Sequence, residues 1–205
     1  MKRTLLAAVM LLAPSALAQD IRAVELYSQD DLLAMIRANT HLIRVKRDEC
    51  QLVQDIQARA DVLKQPAYQM LWADMHLYGV CVRKSTELGF QYLNEAAEQG
   101  LPDALEQLGR YYLEGRFVVS DEARGLRLTQ VAASLGHHRA LLTLAEHYAQ
   151  GQGSPLDYPE VYRWLHQAVF ETEAERRQAQ RLKEQLALQL PPSVREQAHR
   201  AALGR

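Results

Sequence analysis

Seven histidines, one glycine-serine turn and two cysteines are the groups of this chain whose chemistry could go beyond packing. The histidines are His41, His76, His137, His138, His147, His166 and His199. A zinc site on a helix places two imidazoles four residues apart, so that both rings leave adjacent turns of one face. His147 lies nine residues beyond His138, which does not do this, so neither a metal nor any other cofactor is expected. Gly151-Gln152-Gly153-Ser154 has the glycines of a phosphate-cradling loop or of a nucleophile turn. It lacks the Lys-Ser/Thr pair of the first and the glycine two residues after the serine of the second. The carboxylates Asp30 and Asp31 follow Ser28 and read as first-turn charge behind an N-cap. Nothing in the pattern requires an enzyme.

The cysteines acquire meaning from the first residues of the chain. Lys2 and Arg3 precede an apolar run from Leu5 to Ala13, and Ala16-Leu17-Ala18 supplies small residues for cleavage. This is the pattern of a secretory signal peptide over residues 1–18, with cleavage after Ala18. The run is too short to span a bilayer comfortably as an uncleaved anchor. The remaining 187 residues carry 22 Lys/Arg against 25 Asp/Glu, a balance that argues against nucleic acid as a partner. The expected compartment is the bacterial periplasm. In an oxidising compartment a lone pair of cysteines is expected to bond. Cys50 opens a helix expected over about 48–63, and Cys81 follows the helix that starts at Pro66. The turn lies about midway between them, so in an antiparallel hairpin the two face each other. Free thiols or a metal pair are the alternatives, and further cysteines are lacking for the latter.

The elements that position these groups repeat. Gly79, Gly115 and Gly151 are 36 residues apart, as are Ala96, Ala132 and Ala168, and the bulky Tyr92, Leu128 and Trp164. A fixed period of this length marks a stacked repeat architecture, whose usual use is an extended binding surface. Three units are read: 66–100, 101–136 and 137–170. In each, a first helix ends on a glycine, as a left-handed C-cap requires, and a second helix follows a short loop. The fold is therefore all-α: an αα-hairpin solenoid. Small residues at 96, 132 and 168 let neighbouring helices approach while Leu, Tyr and Trp fill the space. Residues 19–65 form an N-terminal cap, with a helix from Ser28 to about Ala38 ended by Asn39 and an extended piece over 22–27. Residues 171–205 form C-terminal capping helices: a charged helix over 173–190, broken by Pro191-Pro192, and a short one from Ser193 to about Ala202. The seven Lys/Arg and five Asp/Glu after Phe170 read as a solvated face, with docking of an acidic partner as the minor alternative.

Ala104, Leu108, Tyr111, Gly115, Asp121, Leu128, Ala132-Ala133 and Gly136, in that order, resemble the Sel1-like repeat, a longer-period relative of the tetratricopeptide repeat. Unit three matches with Ala140, Leu144, Tyr148, Gly151, Asp157, Trp164 and Ala168, with Val169 at the second alanine. Unit one departs, with Tyr68 and Trp72 where Ala and Leu are expected. A closer resemblance covers nearly the whole mature chain. The segments 50–60, 79–82, 96–112 and 153–165, in order behind a leader, look like the periplasmic Sel1-repeat proteins of sodium-driven polar flagellar motors. That resemblance implies a structural part of the T ring under the outer rings of the basal body. The implied partners are MotY and the PomA/PomB stator, the latter through the periplasmic region of PomB. It implies no ion conduction, small-molecule substrate or catalytic residue, and Cys50 and Cys81 match the family's cysteine segments.

First-helix residues not spent on packing would supply the partner-binding face. By phase these are Asp103, Gln107, Arg110 and Tyr111 in unit two and Arg139, Thr143 and Glu146 in unit three; the alternative is that they are merely solvated. Two other functions compete. One is a generic periplasmic Sel1-like adaptor that regulates envelope processes. The other is an enzyme, since some cysteine-rich Sel1 proteins are linked to β-lactam binding or hydrolysis. Those carry a cysteine pair in each unit, and this chain has one pair in total.

Overall fold

The structure, a computed structural model, describes residues 27–203. The signal segment, its cleavage point and all of the extended piece except Tyr27 lie outside them. The described residues form α-helices and no strand. Two helices precede Cys50, α1 (Gln29–Arg37) and α2 (His41–Arg47), and a third follows it, α3 (Val53–Asp61). Ser28 Oγ accepts from the Asp31 amide at 3.0 Å and starts α1. The single helix expected over 48–63 is a correction. Glu49 and Cys50 sit at φ 53° and 61°. Consecutive left-handed residues cannot continue a right-handed helix, so the helix begins only at Val53, and α2 is an element the sequence pattern did not reveal.

Three hairpins follow: α4 (Pro66–Tyr78) with α5 (Thr86–Glu98), α6 (Pro102–Glu114) with α7 (Glu122–Ser134), and α8 (His138–Ala149) with α9 (Tyr158–Gln167). Pro66 and Pro102 occupy the first turn, where a missing amide costs nothing. The second helices of hairpins one and two start on side-chain caps, Ser85 Oγ accepting from the Leu88 amide and Asp121 Oδ1 from the Arg124 amide. Within hairpin two the backbones nearly touch. A Cβ on Gly125 would stand 2.7 Å from Leu113 Cγ and 3.0 Å from the Gly109 carbonyl oxygen. One repeat earlier the same crossing is Ala73 on Gly89, where a Cβ on the glycine would lie 2.5 Å from Leu77. One repeat later it is Ala145 and Val161, both buried, and α8 and α9 meet much less closely.

That opening is filled from the C-terminus. Helix α10 (Glu173–Gln189) packs on α8 and α9, and α11 (Pro192–Leu203) packs on α9. A capping box between Thr172 and Glu175 begins α10. Ala96 and Ala132 are fully buried as the repeat requires. Ala168 is only half-buried and extended, because α9 stops at Gln167. Two apolar cores result. One joins α1–α5 to α6, around Leu32, Ile56, Tyr68, Met75 and Leu93. The other joins α7–α11, around Leu144, Val161, Leu165, Leu182 and Leu186.

Candidate interaction surface

Cys50 and Cys81 are bonded, with Cα atoms 5.5 Å apart, and tie the α2–α3 connection to the loop after α4. The N-terminal cap is thus stapled to hairpin one. A closed loop of this size restricts the unfolded chain by about 3–4 kcal/mol.

The first helices α4, α6 and α8 stand side by side. Their polar side chains pair across repeats at a spacing of 33 residues, one helical turn short of the period. Gln107 Nε2 donates to Asp74 Oδ1 at 2.5 Å. Arg139 Nη2 donates to Glu106 Oε2 at 3.0 Å, and Tyr78 and Tyr111 join their hydroxyls at 3.0 Å. The row has three buried carboxylates, Asp74, Asp103 and Glu106. Asp74 Oδ2 also meets His41 Nε2 at 2.8 Å. Glu106 also accepts from Arg110 Nε at 3.3 Å. Asp103 takes Arg37 of α1 in a two-pronged bond at 2.7 and 2.8 Å, with His137 Nε2 at 3.4 Å. A buried carboxylate without donors would be costly, and here each has at least two.

Burial alone would push the Asp103 carboxyl up. The hydrogen bonds from His137 and Arg37 and their charge overcome it, and hold the group far below the usual carboxylate range. Burial pushes the Tyr111 phenol well above its ordinary value, with the Asp74 charge and the Tyr78 hydroxyl acting in the same direction. His137 spends its other ring nitrogen capping α8, Nδ1 accepting from the Ala140 amide at 3.2 Å. His41 Nδ1 is buried without a hydrogen-bond partner, so the His41–Asp74 pair faces no hydroxyl or thiol it could activate. Among the described residues no cluster of His, Cys, Asp and Glu has the makings of a metal site.

The expected face is therefore divided. Asp103, Gln107 and Tyr111, at 2 %, 5 % and 1 % exposure, are buried in the polar row and present no free surface. This corrects the phase argument, which did not foresee α1 lying against the first helices or the pairing at 33 residues. Arg110 and Thr143 are half-buried, and Arg139 and Glu146 are exposed. The signal that could have found the row was in the sequence: opposite or matched polar types at 74/107, 106/139 and 78/111. No helix among the described residues is long and apolar enough to cross a membrane.

A row of αα-hairpins with a 36-residue period and a closing helix pair defines a helical-repeat protein. The Sel1 repeat family matches residues 66–101, 102–137 and 138–169. Across 203 residues the chain is 42% identical to the sodium-type polar flagellar protein MotX of Vibrio parahaemolyticus serotype O3:K6 (strain RIMD 2210633), covering 97% of this chain and 96% of that protein. The chain belongs to the Sel1-repeat proteins and, within them, to the MotX family. Two solved structures are similar. A Sel1 repeat protein from Oxalobacter formigenes has a TM-score of 0.48 at 23% identity, covering 72% of this chain and 96% of that one. The protective antigen c5321 of uropathogenic Escherichia coli has a TM-score of 0.45 at 20% identity, covering 65% of this chain and 32% of that one.

Proposed function

We propose that this chain is a periplasmic structural protein of a flagellar motor, assembling in the T ring with a MotY-like partner. There it helps recruit and hold PomA/PomB-like stator units through the PomB periplasmic region. It works by binding alone, without catalysis or ion conduction. The observation that carries this reading is the 42% identity to MotX over 97% of the chain. A repeat array suits the role because ring assembly needs repeated heterologous contacts, and stacked hairpins offer long faces for them. Arg110, Arg139, Thr143 and Glu146 are the first-helix residues offered to a partner. Asp103, Gln107 and Tyr111 act from beneath, by fixing the helices that carry them.

The test is a clean deletion in the source bacterium, scored by swimming and by electron microscopy. Cells that keep polar filaments but do not swim, and regain motility with the wild-type copy, support the reading. Normal swimming overturns it in favour of a periplasmic Sel1-like adaptor of envelope processes.

A further inference from the structure

The three inter-helix loops share a second left-handed position, two residues after the left-handed glycines Gly79, Gly115 and Gly151. It is Cys81 at φ 60°, Phe117 at φ 64° and Gly153 at φ 75°. Glycine suits this conformation, and a bulky side chain does not. In hairpin one the position is used for the disulfide. In hairpin two an aromatic ring is held there against its backbone preference, packed on the edge of the N-terminal core with the Arg116 guanidinium over it.

The Phe117 ring stands edge-on to Tyr78 and Tyr111, with centroids 5.5 and 5.2 Å away. The exposed Arg116 guanidinium lies 5.4, 5.8 and 5.4 Å from the centroids of Tyr78, Tyr111 and Phe117. Lys84 of the neighbouring loop places its ammonium 5.9 Å from the Phe117 ring. Neither cation has a carboxylate partner among the described residues, whereas Arg37, Arg110 and Arg139 all do. A guanidinium laid on rings keeps its outer N–H edge free and loses little further freedom when a carboxylate arrives. Two residues after Phe117 in the same loop, Val119 is 89% exposed and offers an apolar side chain to solvent.

We propose that this loop edge, built from Tyr78, Lys84, Arg116, Phe117 and Val119, docks an acidic segment of a partner protein. A carboxylate of that segment takes the free edge of Arg116 as a two-pronged acceptor. A neighbouring carboxylate meets Lys84, and an apolar side chain rests on Val119. Pre-ordered arginine and tyrosine are the residue types that dominate protein interfaces. The proposal rests on the chain being a protein-binding repeat array and deepens that reading by naming one docking surface. It does not depend on which machine the partner belongs to.

The test uses the purified, oxidised protein, with a capped peptide of four glutamates and a valine as the probe and its all-glutamine version as control. Arginine side-chain and backbone NMR shifts report the site. The expected result is saturable movement of the Arg116 Nε–H and Val119 signals with the glutamate peptide only. Arg116→Gln weakens binding tenfold or more with an unchanged melting curve. Arg181→Gln, on the exposed face of α10, leaves binding unchanged. Two results overturn the proposal: no saturable shift at Arg116, or equal weakening by the Arg181 variant, which would reduce the effect to general charge attraction. Either failure beside a non-motile deletion strain sinks this surface alone and leaves the motor reading standing.

Discussion

Hairpins one and two close on glycine, and hairpin three does not. At the crossing point the pairs are Ala73 with Gly89, Gly109 with Gly125, and Ala145 with Val161. The first two leave no room for a further carbon between the helices. At Ala145 and Val161 α8 and α9 meet less closely, and α10 packs on both helices while α11 packs on α9. The register position that holds glycine in the two hairpins that stack onward thus holds valine in the hairpin that receives the cap. The difference extends to what holds each core. The N-terminal core has the disulfide and most of the buried charged groups, including His41, Arg59 and Asp74. The C-terminal core is joined almost wholly by Leu, Ala, Val and Tyr.

The largest way to break this contrast is to remove the staple. Cys50→Ser with Cys81→Ser is expected to cost about 3–4 kcal/mol. The two tryptophans make the comparison readable, since Trp72 lies in hairpin one and Trp164 in hairpin three. In urea, single-tryptophan versions of the variant should lose the Trp72 transition earlier than the Trp164 transition. Equal shifts of both would mean that the cores unfold as one unit and that the contrast is only descriptive.

A smaller test acts at the glycine crossing. Gly125→Ala forces a methyl against Leu113 and the Gly109 carbonyl, and overpacking of this kind costs about 2–3 kcal/mol. Val161→Ala removes buried carbons where the helices already stand apart, so its cost of about 1–2 kcal/mol is that of a cavity. Melting temperatures of the two variants decide the matter. If Gly125→Ala were neutral, the close approach would not be what separates the hairpins.

The polar row offers a pH test. The folded-state pKa of Asp103 is depressed, so its stabilisation is complete above the unfolded carboxylate value and is lost as pH falls below about 4. Asp103→Asn should cost about 1–2 kcal/mol at neutral pH, because Arg37 is more than half exposed and can rehydrate. The variant should also flatten the acid limb of a stability–pH profile. An unchanged acid limb would remove Asp103 from the account.

The repeat frame was legible because its signals are local. Glycines at helix ends and alanines at one phase act within a single turn of chain, and the helix expected over 122–134 in unit two stands where the pattern put it. The cysteine pairing was legible from the expected antiparallel hairpin and the oxidising compartment, although the helix expected over about 48–63 begins at Val53. The polar row was not, since phase within one helix says which side a residue faces and not what lies opposite. Asp103 looked free until Arg37, 66 positions earlier, was placed beside it. The end of the array was equally hidden. Ala168 keeps the period while the backbone there has already left the helix.

The smallest effect is expected in the loops, and it compares hairpins two and three most directly. Gly153 and Phe117 occupy the same left-handed position. A Cβ on Gly153 would meet the Tyr148 ring at 2.5 Å, so in hairpin three that ring already fills the space beside the loop. In hairpin two the corresponding Tyr112 lies instead under Arg124, whose guanidinium is 4.3 Å from its centroid, and Phe117 has room. Gly153→Ala should therefore cost about 1–2 kcal/mol, from the left-handed backbone and the displaced ring together. Phe117→Gly relieves the backbone but forfeits the contacts with Tyr78 and Tyr111, and should change stability by less than about 1 kcal/mol. Thermal melts of both variants test this asymmetry. A stability loss in Phe117→Gly as large as that in Gly153→Ala would make the ring a packing residue like any other.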